Sequence, residues 1–480
     1  MTQNPTPVSV AIPAEFQRVF DLQRAAHLQN MSPPLEQRQA DLLNLRRMVA
    51  ENADAMVEAV NKDYGCRCTF ETKFAEIFMA QEAAREVAKQ VKKWMRPKKR
   101  HLDMMEYPLA KAWTLPQPVG VVGIVVPWNF PIAMALQPLI GAFAAGNRAM
   151  IKMSENSNHL AQLFKKISGK YFPEDKLAFF EDGHGQGPAF TMLPFDHIFF
   201  TGSPATGRAV MANAARNLTP VTLELGGKSP CVVAPDYSMK TAAERVMWAK
   251  MLNAGQICTN VDYIFLPEGK VDEFIQHAQA IVTARYPDLT NGDYTAIIDQ
   301  RAYDRLQETL ADATARGART VSLAPGQNGD AARRIMAPQA IINAPDDSII
   351  LSREIFGPLL PIKTYRSHDE VIQYINARPR PLALYIYSND TSVQNLYLHN
   401  TISGGVGINE AVIQAGLHDL PFGGSGNSGM GHYHGYEGFL TFSKLKPVFK
   451  QGPYRGLDNF LPPYKGKAEK MLNLMFKLKG

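Results

Sequence analysis

Residues 119–153 read VGVVGIVVPWNFPIAMALQPLIGAFAAGNRAMIKM. Val119 to Val126 is a β-branched run with glycines, which predicts a strand buried on both faces. PWNFP follows at 127–131 as a turn. Ile132 to Ala145 is apolar throughout and predicts a buried helix, and Arg148 to Met153 predicts a second strand. Downstream the alternation continues: a helix at 157–168, strands at 177–180 and 196–200, and a helix at 204–215. Such alternation implies a largely parallel sheet covered by helices on both faces. Ligands of these sheets bind beyond the carboxyl ends of the strands.

Ala112 to Asn147 carries no charged side chain, so the run has to be tested as a membrane span. Pro116, Pro118, Pro127, Pro131 and Pro138 interrupt it. A lipid-exposed backbone could not satisfy its polar groups through that many breaks. A buried strand, a turn and a buried helix explain the run better.

The whole chain has 480 residues, 45% of them apolar and 20% charged, which is the composition of a soluble globular protein. That length predicts two or three domains. The net charge of +6 is spread along the sequence. Basic runs at Lys92-Lys93 and Lys98-Lys99-Arg100 lack the interleaved aromatics of a nucleic-acid module, so nucleic acid is not an expected partner. Four cysteines, Cys66, Cys68, Cys231 and Cys258, are too few for a disulfide framework and fit a reducing compartment. Cys66 and Cys68 have no second Cys/His pair at zinc spacing, so no metal is expected. The start, MTQNPTPVSVAIP, shows no basic segment followed by an apolar core, which makes the cytoplasm the default location.

Upstream, residues 15–96 read as helical. Pro34 starts a helix running towards Lys62, and Phe70 to Met95 gives another after the Tyr64-Gly65 break. Residues 97–118 read as a strand or hairpin projecting from the body, an arm suited to oligomer contacts. After Pro230 a second alternating block appears, with CVVA at 231–234, YIFLP at 263–267, a helix from Val271 and AIINAP at 340–345. Residues 395–410 and 421–431 read as loop-rich. The tail at 464–480 mixes lysines with Met, Leu and Phe. It reads as an amphipathic segment packed on the body or on a partner subunit, with an anionic membrane surface as the less favoured alternative. The expected domains are 1–96 with 119–223, then 224–435, with 97–118 and 436–480 as arm and tail.

Chemistry concentrates between Thr222 and Asn260, a stretch that begins TLELGGKSP and ends NAGQICTN. Glu224 and Cys258 each lie beside a glycine turn, Gly226-Gly227 and Gly255. A thiolate is a nucleophile, and a carboxylate can take a proton from water. The plainer reading is a small buried hydrophobe and a solvated charge. Two glycine-rich loops compete as phosphate cradles. GSGNSG at 424–429 matches G-x-G-x-x-G but lies beyond the strand–helix alternation, so it reads as a turn. FFTGSPATG at 199–207 runs from a strand end into a helix. There Gly202 and Gly207 allow close approach, and the helix N-terminus with Ser203 offers N–H groups to an anion. IKMSE at 151–155 also ends a strand, and Lys152 and Glu155 could hold ribose hydroxyls. Asn129, set between Pro127 and Pro131, is pre-oriented, and its amide could stabilise an oxyanion. A turn asparagine is the common alternative.

Together these residues resemble the aldehyde dehydrogenase superfamily. The matching pieces are PWNFP at 127–131, IKMSE at 151–155, FTGSPATG at 200–207, LELGGKSP at 223–230, GQIC at 255–258, EIFGP at 354–358 and PFGGSGNSGMG at 421–431. They occur in the family's order and span most of the chain. The ending GMGHYHGYEGF resembles the shorter, often dimeric class 3 branch, and within it the bacterial coniferyl aldehyde dehydrogenases. The resemblance implies a Rossmann-like cofactor domain, a second α/β catalytic domain and a small oligomerisation arm. It implies Cys258 as nucleophile, Glu224 as general base, and Asn129 with the Cys258 N–H as oxyanion donors. It assigns Lys152 and Glu155 to the adenosine ribose and Ser203 with the Gly202–Gly207 turn to the pyrophosphate. Glu354 and Phe356 would position the nicotinamide ribose and ring. Met153 stands where the family usually has proline. Glu155 disfavours a 2′-phosphate by like charge, so NAD is expected, with NADP left open. The implied reaction oxidises an aldehyde to an acid through a thiohemiacetal and a thioester, and needs no metal. Coniferyl aldehyde giving ferulate is the implied substrate, with medium- or long-chain aliphatic aldehydes as runner-up and a homodimer as the assembly. A coenzyme A-acylating enzyme is disfavoured by Glu224, and a Cys-dependent esterase would need no nucleotide loop.

Overall fold

A computed structural model describes residues 11–104, 106–183 and 185–479. Residues 1–10, part of the start read for a secretory signal, and Gly480 of the tail lie outside the described residues.

The 119–153 stretch folds as its pattern demands. Val121–Val125 is a fully buried strand, Pro131–Ala145 a helix with nearly every side chain buried, and Arg148–Lys152 the next strand. Val121–Val125 pairs in parallel with Arg148–Lys152, which pairs with Leu177–Phe180. The chain then returns to the other side of Val121–Val125, adding His197–Gly202 and Val221–Leu225, again in parallel. The strand order therefore reverses between Val121–Val125 and His197–Gly202. Such a switch point leaves a crevice beyond the strand ends. Asn129 and Ser203 follow these two strands directly.

The second sheet has seven strands in the order Arg319–Ser322, Gln339–Ile342, Leu359–Tyr365, Tyr263–Pro267, Pro230–Val233, Ala383–Tyr387 and Gly405–Ile408. All its pairings are parallel except that of the Arg319–Ser322 edge strand. A third sheet is antiparallel, with Lys111–Pro118 between Lys98–Arg100 and Ser443–Lys450. It forms the projecting arm. Each parallel sheet has its own apolar core, one built around Ile264 and Leu360, the other around Ile124 and Leu139.

Four local readings change. The helix expected from Pro34 towards Lys62 breaks at Asn52, whose amide donates to the Met48 carbonyl at 2.8 Å and to the Tyr171 hydroxyl at 3.0 Å. The Phe70–Met95 helix contains a π-helical segment, Lys73–Phe78, around the buried Glu76. Residues 395–410 are not mainly loop: they include most of the helix Thr391–Asn400 and the strand Gly405–Ile408. Of that helix only Tyr397 is buried, so its apolar periodicity is too weak to read. Finally, Gly429–Met430 pairs with Val221–Leu225, and the helix Gly435–Thr441 packs on Pro131–Ala145. Residues 429–442 therefore lie with the first sheet, whereas the expected boundaries assign 429–435 to the second domain and 436–442 to the arm. The buried Phe439 and Phe442 hold them there. GSGNSG sits in this return as a turn, closed by a Gly426–Gly429 bridge.

The charge-free run 112–147 resolves into the end of an arm strand, the buried strand, a turn and the buried helix. Among the described residues no helix is long and apolar enough to cross a membrane. The tail forms the helix Glu469–Lys479, anchored where Lys479 meets Asp103 and Glu106. Its Leu472, Leu474, Phe476 and Leu478 stay exposed on the single chain.

Candidate active site

Cys258 is presented by an unusual turn. The helix Met239–Met251 ends, and Asn253, Ala254 and Gly255 follow with φ of 52°, 50° and 75°. Left-handed backbone at a non-glycine residue costs about 1–2 kcal/mol. Such a conformation persists only where its surroundings over-determine it. Here they do. The Asn253 N–H donates to Glu71 at 3.1 Å, and the Asn253 amide donates to the carbonyls of Asn129 and Gln256, each at 3.0 Å. The Gln256 amide donates to the carbonyls of Asn253 and Ala296, and its oxygen accepts the Ile298 N–H. Gly255 is obligatory, because a Cβ there would lie 2.4 Å from the Gly357 carbonyl oxygen.

Glu224 is the fourth residue of the Val221–Leu225 strand, opposite Thr201 and Gly429 in the ladders. It is buried, and neither carboxylate oxygen has a hydrogen-bond partner. Burial pushes its pKa well above the ordinary carboxylate range. Glu354 approaches from the second domain, and the close backbone of Gly226 gives it room, since a Cβ there would come within 2.1 Å of its carboxylate. Burial, then the neighbouring Asp262, pushes Glu354 up to about 8, and the Gly227 N–H works against them. Lys228 anchors this segment. Its ammonium donates to the carbonyls of Ile350 at 2.7 Å and Arg353 at 3.0 Å and pairs with Asp262, which accepts the Ile355 N–H. The Cys258 thiol is pushed up to about 12, by burial first and then by Glu354 and Glu224. The Thr259 and Cys258 N–H groups oppose that rise.

A cavity of about 1290 Å³ gathers these groups. Cys258, Glu224, Asn129, Glu354 and Phe356 line it, and so do Gly202 and Ser203 at the first sheet's switch point. Trp128 and Phe356 meet edge to face across it, with ring centroids 5.4 Å apart. The remaining candidates stand apart. Lys152 is buried in an ion pair with Asp182 at 2.6 Å, Glu155 is exposed, and neither lines the cavity. Gly207 serves packing: a Cβ there would sit 2.7 Å from the Leu225 side chain. Ser203 caps its helix, its hydroxyl accepting the Thr206 N–H at 3.2 Å.

Sequence reasoning missed the shell beneath the site. Tyr64 ends an N-terminal helix, Arg67 lies in the loop after it, Glu71 and Glu76 sit on the next helical segments, and all are buried under the Asn129 turn and the Cys258 turn. Charged residues in a largely helical region read as a solvated face, so the sequence carried no signal that they turn inward. Asp182 and Asp262 lie in loops beside strand ends, where a lone carboxylate reads as a solvated charge.

Reading these groups with the two parallel sheets, we find that the Aldehyde dehydrogenase family model matches residues 6–448. The chain belongs to the aldehyde dehydrogenase family, and its activity is the oxidation of an aldehyde. It is 44% identical over 437 residues to coniferyl aldehyde dehydrogenase of Pseudomonas sp. strain HR199, covering 90% of each chain. The solved structure of Staphylococcus aureus AldH, in a substrate-bound state, matches with a TM-score of 0.90 at 33% identity, covering 96% of this chain and 99% of that one. A Mycobacterium tuberculosis aldehyde dehydrogenase complexed with NAD+ matches with a TM-score of 0.82 at 26% identity, covering 93% and 92%.

Proposed function

We propose that the chain oxidises coniferyl aldehyde to ferulate with NAD, using Cys258 as nucleophile and Glu224 as general base. The observation that carries the chemistry is the convergence of a thiol, two buried carboxylic groups and the Asn129 amide on one cavity. The substrate assignment is supported by the likeness to the Pseudomonas coniferyl aldehyde dehydrogenase.

The residues fit a dinucleotide. The Thr201 hydroxyl and one Glu354 oxygen are buried without partners, as are both Glu224 oxygens, so polar groups await a ligand in the crevice. The helix Pro204–Ala215 points its N-terminus at the same cavity, and that end favours phosphate. We assign Ser203 and Gly202 to the pyrophosphate, with Gly207 supporting that turn, and Glu354 and Phe356 to the nicotinamide ribose and ring. Lys152 and Glu155 are assigned to the adenosine ribose, where Glu155 favours NAD over NADP. When bound, NAD supplies the oxidising power by accepting two electrons and a proton equivalent from the substrate carbon.

The chain's own residues do the rest. The Cys258 thiol gives its proton to water, and the thiolate sulfur attacks the aldehyde carbon, giving a thiohemiacetal oxyanion. The Asn129 amide and the Cys258 N–H stabilise the oxyanion where charge develops. After oxidation the acyl group remains on Cys258 as a thioester. Glu224 then takes a proton from water, the hydroxide adds to the thioester carbonyl, and the acid leaves as the thiol re-forms. The first domain, 1–96 with 119–223, would hold the cofactor, and 224–428 would carry the nucleophile. We place the enzyme in the cytoplasm, supported by its four free thiols, and as a homodimer through the arm.

The test is NADH formation from purified protein with coniferyl aldehyde, benzaldehyde, hexanal and decanal, each with NAD and NADP. Coniferyl aldehyde with NAD should give the highest kcat/KM, and Cys258→Ala should abolish turnover with every substrate. A higher value for decanal would transfer the substrate assignment to aliphatic aldehydes. Full turnover by Cys258→Ala would remove the nucleophile.

A further inference from the structure

The Asn129 carbonyl oxygen receives three donors: the Tyr64 hydroxyl at 3.0 Å, Arg67 Nη1 at 2.9 Å and Asn253 Nδ2 at 3.0 Å. The same Arg67 nitrogen donates to Asn253 Oδ1 at 2.8 Å. The Asn129 side chain in turn donates to the Gln256 carbonyl at 3.1 Å, two residues before Cys258. One guanidinium therefore ties the turn that carries the oxyanion amide to the turn that carries the nucleophile.

Its geometry is fixed by rings and a carboxylate around it. The Arg67 guanidinium is fully buried, lies 4.9 Å from the Tyr64 ring centroid and 5.0 Å from that of Phe130, and faces Glu76 at 3.5 Å. Glu76 accepts the N–H groups of Ile132 at 2.8 Å and Ala133 at 3.2 Å, so it caps the helix that follows Asn129. Glu71 accepts the Asn253 N–H and the Thr295 hydroxyl at 2.8 Å. A buried cation of this kind has a rigid fork of donors, which fixes two acceptors at once. A residue kept only for core filling would not need polar partners at Asn129, Asn253 and Glu76, in three chain segments.

We propose that Arg67 and Tyr64 are positioning residues: they hold the Asn129 amide and the Cys258 turn in one register, so that the attacking sulfur and the oxyanion donor meet the same carbonyl. The consequence is specific. Loosening the pair misplaces the oxyanion donor and leaves the thiol itself intact. Displacements of about 1 Å in such sites cost on the order of 100-fold in rate.

This inference rests on the assignment of Cys258 and Asn129 above, and the experiment separates the two. Two cofactor-free reactions of Cys258 are compared. Iodoacetamide alkylates the sulfur and builds no oxyanion. p-Nitrophenyl acetate acylates it through an oxyanion, releasing p-nitrophenolate as the acetyl thioester forms. In Tyr64→Phe, which deletes one oxygen, and in Arg67→Lys, acylation should fall about tenfold while alkylation changes less than twofold. Asn129→Ala should show the same split, and Tyr64→Phe should add little in the Asn129→Ala background. Arg67→Ala leaves Glu71 and Glu76 without a cation and is expected to fold poorly, so the conservative variants carry the test. Equal losses in both reactions, unchanged acylation, or full additivity with Asn129→Ala would overturn the positioning role. An Asn129→Ala protein with normal acylation would instead overturn the oxyanion assignment.

Discussion

At the scale of single residues the site is a set of buried acidic groups that share one cavity and disfavour one another's ionisation. Cys258 is pushed up to about 12 partly by Glu354, and Glu354 itself by burial to about 8. Below pH 8 Glu354 is protonated and opposes the thiolate little. Above pH 8 it is ionised and does so by repulsion. Glu354→Gln should therefore leave alkylation of Cys258 by iodoacetamide nearly unchanged at pH 7 and speed it several-fold at pH 9.5. A ratio that does not grow with pH would remove Glu354 as the source. Glu224, raised by burial alone, must ionise to serve as the proposed base. Steady-state turnover should accordingly climb with pH beyond the ordinary carboxylate range. Glu224→Gln should slow it roughly 100-fold, the lower end of general-base effects. The first NADH burst in rapid mixing should survive if Glu224 serves the proposed hydrolysis, because that step follows the oxidation. The sequence made Cys258, Glu224 and Asn129 legible, because each stands in an ordered motif. It did not make Asp262 or Asp182 legible, since isolated carboxylates in loops read as solvated.

At the scale of elements, three turns do most of the positioning. Strands end, and PWNFP and TGSP begin, on either side of the switch point between Val121–Val125 and His197–Gly202. The Asn253–Gly255 turn is left-handed throughout, and Gly255 has no room for a side chain. Gly255→Ala should lower stability by about 1–3 kcal/mol in denaturant unfolding, as expected for a side chain forced into left-handed backbone. It should also cut kcat, because the turn sets where Cys258 points. A variant with normal stability and normal kcat would show the turn to be looser than its contacts imply. The π-helical segment Lys73–Phe78 belongs at this scale too. Its sequence, KFAEIF, has nothing that distinguishes it from an α-helix, and the buried Glu76 that it places under Asn129 is visible only once the helices are packed.

For the whole molecule, the arm and tail leave an edge strand and several apolar side chains uncovered on a single chain. Ser443–Lys450 is an exposed edge strand, and Phe449 and Leu445 on it face solvent, as do Leu474 and Phe476 of the tail helix. Exposed edges and apolar patches of this kind are usually covered by a partner. The full-length protein should elute in light scattering at twice the 53.2 kDa chain mass. Deleting 464–480, which leaves both parallel sheets intact, should weaken or abolish that association. A monomer at full length would redirect the arm to another partner.

The sequence by itself determined the alternation of strands and helices, the two α/β domains, the arm and the ordered motifs. Those follow from local periodicity and from residue types that a turn or a nucleophile requires, and local rules are written into neighbouring positions. Tertiary structure alone decided that 429–442 returns to the first sheet. It alone decided that Lys152 is paired with Asp182 and Gly207 packs on Leu225, and that Tyr64 and Arg67 lie beneath Asn129. These are contacts between segments tens to hundreds of residues apart. They are fixed by which buried polar groups can find partners once the cores have closed, and no window along the chain contains both members of such a pair.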